Sequence, residues 1–143
     1  MEVYIIEGPA NSGKSSLIYS QYLKLLNTKN YTIVENEKPD ILSDFKILLK
    51  NKDTKECTLF NSPTDDARCI TNFEKFYRQW SEDRKGRKGY NITRIITSCR
   101  PNTNGTDDEA LYEQTRDVIK KIAPSVPPEQ YHVIDISLLG KFE

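Results

Sequence analysis

Histidine, cysteine and net charge are scarce in this sequence, and each scarcity excludes a class of protein. The chain has one histidine and three cysteines, and Cys57, Cys69 and Cys99 lack the paired spacing of a zinc site. So sparse and odd a set of cysteines predicts reduced thiols in a cytosol, and therefore a cytoplasmic protein. The 21 basic and 21 acidic residues give a formal net charge of +0, so no overall field attracts nucleic acid or anionic lipid.

Long hydrophobic runs are missing too. The longest hold about five residues, far fewer than a membrane-spanning helix needs. The first run leads through Glu7 into a glycine-containing segment, which is unlike a signal peptide. The 143 residues suffice for one domain with a hydrophobic core and are too few for two. We therefore expect one soluble domain over residues 1–143, with no membrane contact.

One motif dominates what is present. Residues 8–15 read GPANSGKS and match the pattern G-x-x-x-x-G-K-[ST] at every fixed position. A short apolar run over residues 3–7 precedes the motif, and helical periodicity follows it from Lys14 to about Leu26. This predicts a strand, a glycine loop and a helix. The loop amides and the positive end of the helix dipole would then converge on one anion-binding spot.

The motif assigns a role to each of its polar side chains. Lys14 is expected to reach the β- and γ-phosphates of a nucleotide, the Ser15 hydroxyl to hold Mg²⁺, and Ser16 to bond a phosphate oxygen. A chance match in an ordinary turn is the weaker alternative, because the context is also correct. The predicted nucleotide-binding residues are Gly8, Pro9, Ala10, Asn11, Ser12, Gly13, Lys14, Ser15 and Ser16.

The rest of the chain alternates predicted strands with predicted helices. The strands are expected at residues 31–34, 45–50, 57–61, 92–99 and 131–137, and the helices at about 66–81 and 106–122. The polar stretch NKDTKE is too short for a parallel crossover and favours an antiparallel hairpin. The pattern predicts an α/β fold in three αβα layers, with a mostly parallel sheet and one antiparallel hairpin strand.

Polar residues follow several of these strands. Ligands bind at the carboxyl ends of strands in such sheets, so the segments after Glu7, Asn61, Cys99 and Ser137 should converge. At the start of the last helix, Thr106 and Glu109 have the spacing of a capping box.

With GPANSGKSS opening a helix after the first strand, the chain resembles the P-loop nucleoside triphosphatase superfamily through its Walker A motif. The motif covers residues 3–16, and the remainder is similar only in the order of strands and helices. The resemblance implies a nucleoside triphosphate, ATP by default and GTP as the alternative, bound with Mg²⁺. It also implies hydrolysis or phosphoryl transfer, which makes Lys14 a catalytic candidate.

The superfamily's second acidic motif, a strand ending in Asp that helps to hold Mg²⁺, is altered here. The best-placed strand, CTLFN, ends in Asn61, and Asp65 and Asp66 follow it. A short loop leading to Asp resembles the switch region of P-loop GTPases, so Asp65 is the predicted partner of Ser15 at the metal, with Asp66 as the alternative. No N-K-x-D guanine motif follows the strand at 92–99, which leaves the base open.

Arginine would cover the transferred phosphoryl group, and Arg100 is the best-placed candidate because it follows a strand end. The other candidates are Arg68, Arg84 and Arg87. The basic stretch RKGRKG at 84–89 is either a lid over the phosphates or a solvated turn. Nucleic-acid binding is the least favoured use of so short a patch.

Three functional classes remain open. The chain is either a slow nucleoside triphosphatase, a kinase of a nucleotide or small molecule, or a non-catalytic module that changes shape for a protein partner. The predicted catalytic residues are Lys14, Asp65 and Arg100, with Ser15 and Asp65 at the metal.

Overall fold

The central sheet has six strands within residues 1–37 and 45–136, the part of the chain that the computed structural model describes. The strands are β1 (Glu2–Glu7), β2 (Tyr31–Glu37), β3 (Lys46–Asn51), β4 (Glu56–Asn61), β5 (Asn91–Cys99) and β6 (Tyr131–Asp135). The helices are α1 (Lys14–Asn27), α2 (Ala67–Ser81) and α3 (Asp107–Ile122), with a short 3-10 turn at Pro128–Gln130. The strand end expected at Ser137 lies outside the described residues.

The strand order across the sheet is β2-β3-β4-β5-β1-β6. The last four of these strands are mutually parallel, whereas β3 pairs antiparallel with both β2 and β4. Residues 52–55 connect β3 to β4, and the Asn51 side chain tightens this turn by accepting from the amides of Asp53 and Thr54 at 2.8 and 3.0 Å. The α/β class, the mostly parallel sheet and its antiparallel hairpin strand are therefore confirmed.

Helices cover both faces of the sheet because side chains alternate along each strand. Ile5 of β1 is buried in a cluster with Phe73 of α2 and Ile119 of α3. Its neighbour Ile6 points the other way, into a cluster with Ile18 of α1. The described residues thus form three layers, with α1 on one side of the sheet and α2 and α3 on the other.

The start of α3 is correctly placed, but its predicted capping box is wrong. Thr106 is the N-cap residue without a side-chain cap. Its hydroxyl donates instead to the Thr103 carbonyl oxygen at 2.6 Å, and Glu109 accepts from the Gly105 amide at 2.7 Å. The loop before the helix offers these nearer partners, so the two side chains do not bond each other's amides.

The basic loop at 84–89 lies at the amino end of β5 and is not a lid. Arg84 and Arg87 exchange two backbone hydrogen bonds across a tight turn, in which Gly86 has a φ of +81°. The Arg87 guanidinium lies over the rings of Trp80 and Tyr90, 4.8 and 5.4 Å from their centroids. Since β1 and β5 are parallel, the motif loop lies at the opposite edge of the sheet, roughly 25 Å away at the usual rise per residue.

No helix among the described residues is long and apolar enough to cross a membrane.

Candidate phosphate-binding site

The candidate phosphate loop (residues 8–13) turns the chain from β1 into α1. The Gly8 amide donates to the Cys99 carbonyl oxygen at 3.0 Å, which ties the start of the loop to the end of β5. Gly13 and Asn11 have φ values of +91° and +58°, in the left-handed region that glycine adopts freely and asparagine tolerates. The motif's second glycine therefore stands where the backbone needs one.

Gly8 is required for a different reason, which is space. A Cβ atom at this position would lie 2.4 Å from Cγ2 of Ile136 and 2.7 Å from Oγ of Ser12. The serine hydroxyl would have to give up its bond to the Pro9 carbonyl oxygen, and the isoleucine methyl, on a branched carbon, would have to shift with its whole side chain. The chain after β6 thus closes directly over the start of the loop.

We expect Gly8→Ala to lower the free energy of unfolding by about 1–3 kcal/mol, the usual cost of overpacking. Chemical denaturation of the variant measures it. Ala10→Ser, in the exposed part of the same loop, is the control and should change stability by less than about 0.5 kcal/mol. An unchanged unfolding midpoint for Gly8→Ala would show that Ile136 does not pack against this glycine.

Lys14 lies under the loop and is bonded to it. The residue is only 6% exposed, and its Nζ donates to the carbonyl oxygens of Gly8 at 2.8 Å and Pro9 at 2.6 Å. Burial lowers the pKa of the ammonium, while the carboxylates of Asp65 and Asp108 act in the opposite direction. The ammonium is therefore held at the turn by weak neutral acceptors, which an anion could replace.

The serines of the motif occupy the first turn of α1. Ser15 is half-buried and Ser16 is exposed. Ser12 differs, since its hydroxyl donates to the Pro9 carbonyl oxygen at 2.7 Å and braces the loop. We assign Ser12 a structural role beyond the binding role that the motif implies.

Arg100 and Asp65 are brought together directly after β5 and β4. The Arg100 Nε lies 2.9 Å from Oδ1 of Asp65, and its Nη1 lies 2.5 Å from Oδ1 of Asp108. The Arg100 side chain is 14% exposed. It follows Cys99, whose carbonyl accepts from Gly8, and its positive charge adds to the effect of burial in lowering the pKa of Lys14 at the end of the candidate phosphate loop.

Hydroxyl groups hold the loop that presents Asp65. Thr64 Oγ1 and Ser98 Oγ are 2.6 Å apart, and Ser98 donates to the Ser62 carbonyl oxygen at 2.6 Å. Asp66 then begins α2 by accepting from the Cys69 amide at 2.8 Å, and this backbone bond lowers the pKa of its carboxyl. Because Asp66 is used as a helix cap, Asp65 is the carboxylate left to face the site.

Asn61 does not stand next to the phosphate loop. β5 lies between β1 and β4, and Asn61 shares its level in the sheet with Thr97 and Ile5, two residues before β1 ends. Its Nδ2 donates to Thr97 Oγ1 at 3.1 Å, whereas its Oδ1 is buried without a partner among the described residues. An unpaired buried acceptor costs stability.

A second ion pair flanks the loop on the α3 side. Arg116 Nη2 lies 3.1 Å from Oε2 of Glu7, the last residue of β1. The same guanidinium lies over the Tyr112 ring, 4.9 Å from its centroid. The charged groups near the carboxyl ends of β1, β4 and β5 thus include the cations Lys14, Arg100 and Arg116 and the carboxylates of Glu7, Asp65 and Asp108.

Sequence reasoning found part of this cluster and missed the rest. Asp108 and Arg116 were not among the predicted residues, although Asp108 opens a helix after the loop that follows Arg100, and helix starts after strand ends face the site. Among the other arginines, Arg84 and Arg87 lie at the opposite edge, and Arg68 is exposed in the first turn of α2.

Metal-binding clusters of protein side chains are not found in the described ranges, 1–37 and 45–136. No group of three or more histidine, cysteine, aspartate or glutamate residues there could hold an ion. His132 lies 3.3 Å from a carboxylate oxygen of Glu2 and stacks on Tyr4 at 4.5 Å between centroids, so its contacts are structural.

Comparisons of the chain with models of protein families, with curated proteins and with solved structures give no significant match. The motif and the residues gathered around it are therefore the basis for a functional proposal.

Proposed function

We propose that the chain is a P-loop protein that binds a nucleoside triphosphate through residues 8–16, with ATP as the default base. The observation that carries the proposal is the complete motif on a strand-to-helix turn with a buried lysine bonded to it. A chance match to the sequence pattern has no reason to fall between a strand and a helix start with its second glycine in the left-handed region. The proposal extends to hydrolysis or transfer of the terminal phosphoryl group.

The chemistry follows from charge. On binding, Lys14 would exchange two neutral carbonyl oxygens for charged phosphate oxygens, which form stronger hydrogen bonds. Backbone amides at the start of α1 would add donors and the helix dipole. Arg100, in the residue after the Cys99 carbonyl that accepts from Gly8, would place a second cation on the terminal phosphate, where charge changes during transfer.

The residues present fit Mg²⁺, although residues 1–37 and 45–136 form no all-protein cage. Mg²⁺ sites of this kind use one or two protein ligands and take the other oxygens from phosphates and water. Ser15 would be the direct ligand and Asp65 would act through a water, and the Asp65 side chain is 56% exposed. When bound, the ion would neutralise phosphate charge and orient the terminal phosphoryl group.

Asp65→Asn should therefore raise the Mg²⁺ concentration that nucleotide binding requires by about tenfold. Calorimetric titration of ATP at several Mg²⁺ concentrations measures this. Asp66→Asn is the matched control, because it removes a neighbouring charge while asparagine still caps α2. An effect of Asp66→Asn alone would show that Asp66 acts at the metal instead of Asp65. No effect in either variant would show that neither carboxylate acts there.

A kinase is the second candidate function, and one observation favours it. A cavity of about 520 Å³ lies along α3 beside Arg116, with Tyr112, Lys120 and Tyr131 among its lining residues. Its volume suits a small-molecule ligand, and the Arg116–Glu7 ion pair connects it to the end of β1. An acceptor bound at the Arg116 end of this cavity would lie beside Glu7, the residue that precedes the candidate phosphate loop.

The non-catalytic alternative is favoured by Asn61, since no carboxylate ends β4.

Calorimetry with ATP and GTP, each with Mg²⁺, tests binding and base choice. Phosphate release, measured alone and with nucleoside monophosphates, separates the classes. Release without an acceptor indicates a hydrolase, ADP formation stimulated by one acceptor indicates a kinase, and tight binding without turnover indicates a module. No binding of either nucleotide would overturn the proposal.

A further inference from the structure

Arg100 is held by two carboxylates that differ in setting. Asp65 belongs to the loop before α2 and is 56% exposed, whereas Asp108 belongs to the first turn of α3 and is 22% exposed. Exposed ion pairs contribute little, because water and ions screen them. The pair of Arg100 with Asp108 is therefore the more persistent of the two.

The atoms used by each pair are different as well. Asp65 is bonded to Nε and Asp108 to Nη1 of Arg100. A guanidinium has five N–H donors in a fixed plane, so fixing one edge of it fixes the direction of the rest. If Asp65 left, the Nε edge would be available while Asp108 still held the opposite side.

Arg100 and Asp108 also differ in how much each depends on their ion pair. Asp108 lies in the first turn of α3, where the helix dipole already stabilises a negative charge. Arg100 is largely buried, and a buried cation requires a counter-charge. The ion pair therefore stabilises the charge of Arg100 more than it stabilises the charge of Asp108.

We propose that Asp108 is a positioning residue that aims Arg100 at the terminal phosphate of a bound triphosphate. This inference rests on the proposed function and deepens it. When a triphosphate binds, Asp65 would release Nε of Arg100, and this Nε would donate to a phosphate oxygen instead. Asp108 keeps its bond to Nη1 throughout. The loop between β5 and α3 thereby becomes part of the binding site.

The test uses a matched pair of variants in the first turn of α3. Asp107 and Asp108 are adjacent and both lie in the first turn of α3, but only Asp108 bonds Arg100. We expect Asp108→Asn to weaken the binding of tripolyphosphate and of ATP with Mg²⁺ by about tenfold in calorimetry. Asp107→Asn should change either affinity less than about twofold, and Asp108→Glu, which keeps the carboxylate, should restore part of the loss.

A double-variant cycle shows whether Asp108 acts through Arg100. In an Arg100→Ala background, Asp108→Asn should cause no further loss. The inference is overturned if the loss persists in that background, if Asp107→Asn weakens binding equally, or if Asp108→Asn strengthens it. In all three cases the unaltered protein still binds triphosphate and the proposed function stands. Absence of binding by the unaltered protein would overturn both.

Discussion

Lys14→Ala is expected to weaken ATP binding in the presence of Mg²⁺ by roughly 2–4 kcal/mol, or roughly 30- to 1,000-fold in affinity. The substitution removes a charged donor that lies at the centre of the phosphate loop. It also leaves a bound phosphate without its nearest cation. Calorimetric titration of both proteins with ATP and with GTP measures the loss, which should be similar for the two nucleotides because Lys14 would contact phosphate and not base.

The control for this variant is Lys85→Ala. Lys85 is exposed in the basic loop at the opposite edge of the sheet, so its removal lowers the net charge equally without touching the site. Its nucleotide affinity should stay within about twofold of the unaltered protein. Equal affinity of Lys14→Ala and the unaltered protein would show that residues 8–16 do not bind the nucleotide.

The second large effect concerns the layer that carries Asp65 and Asp108. Phe73→Ala should lower the free energy of unfolding by about 3–5 kcal/mol, since it empties a large buried site. Phe73 is 0% exposed and packs α2 into the cluster that also contains Ile119 of α3. Both helices begin next to the site, so this cluster determines where those two carboxylates lie.

Urea denaturation of Phe73→Ala measures the cost. Leu23→Ala is the matched control, because Leu23 is an apolar helical residue that is 38% exposed, and its truncation should cost less than about 0.5 kcal/mol. A loss below about 1 kcal/mol for Phe73→Ala would mean that α2 is not packed on the sheet as described.

The local structure could be predicted from the sequence. The strand, loop and helix around residues 8–16 follow from glycines at defined positions and from helical spacing after Lys14. The hairpin between β3 and β4 follows from a linker too short to cross the sheet. α2 follows from apolar residues at helical spacing, such as Ile70, Phe73 and Phe76, all of them buried. Each of these features depends on residues that are close in the chain.

The contacts around the phosphate loop depended on the tertiary structure. The sequence determined that Asp65 and Arg100 follow strands, but not that β5 would separate β1 from β4 and leave Asn61 two strands away. Nothing in the sequence distinguished Asp108 from the other acidic residues as a partner of Arg100. Strand order is decided by how the two apolar faces pack against α1 on one side and α2 and α3 on the other. The partners of Arg100 therefore became identifiable only when packing had brought distant segments to one edge of the sheet.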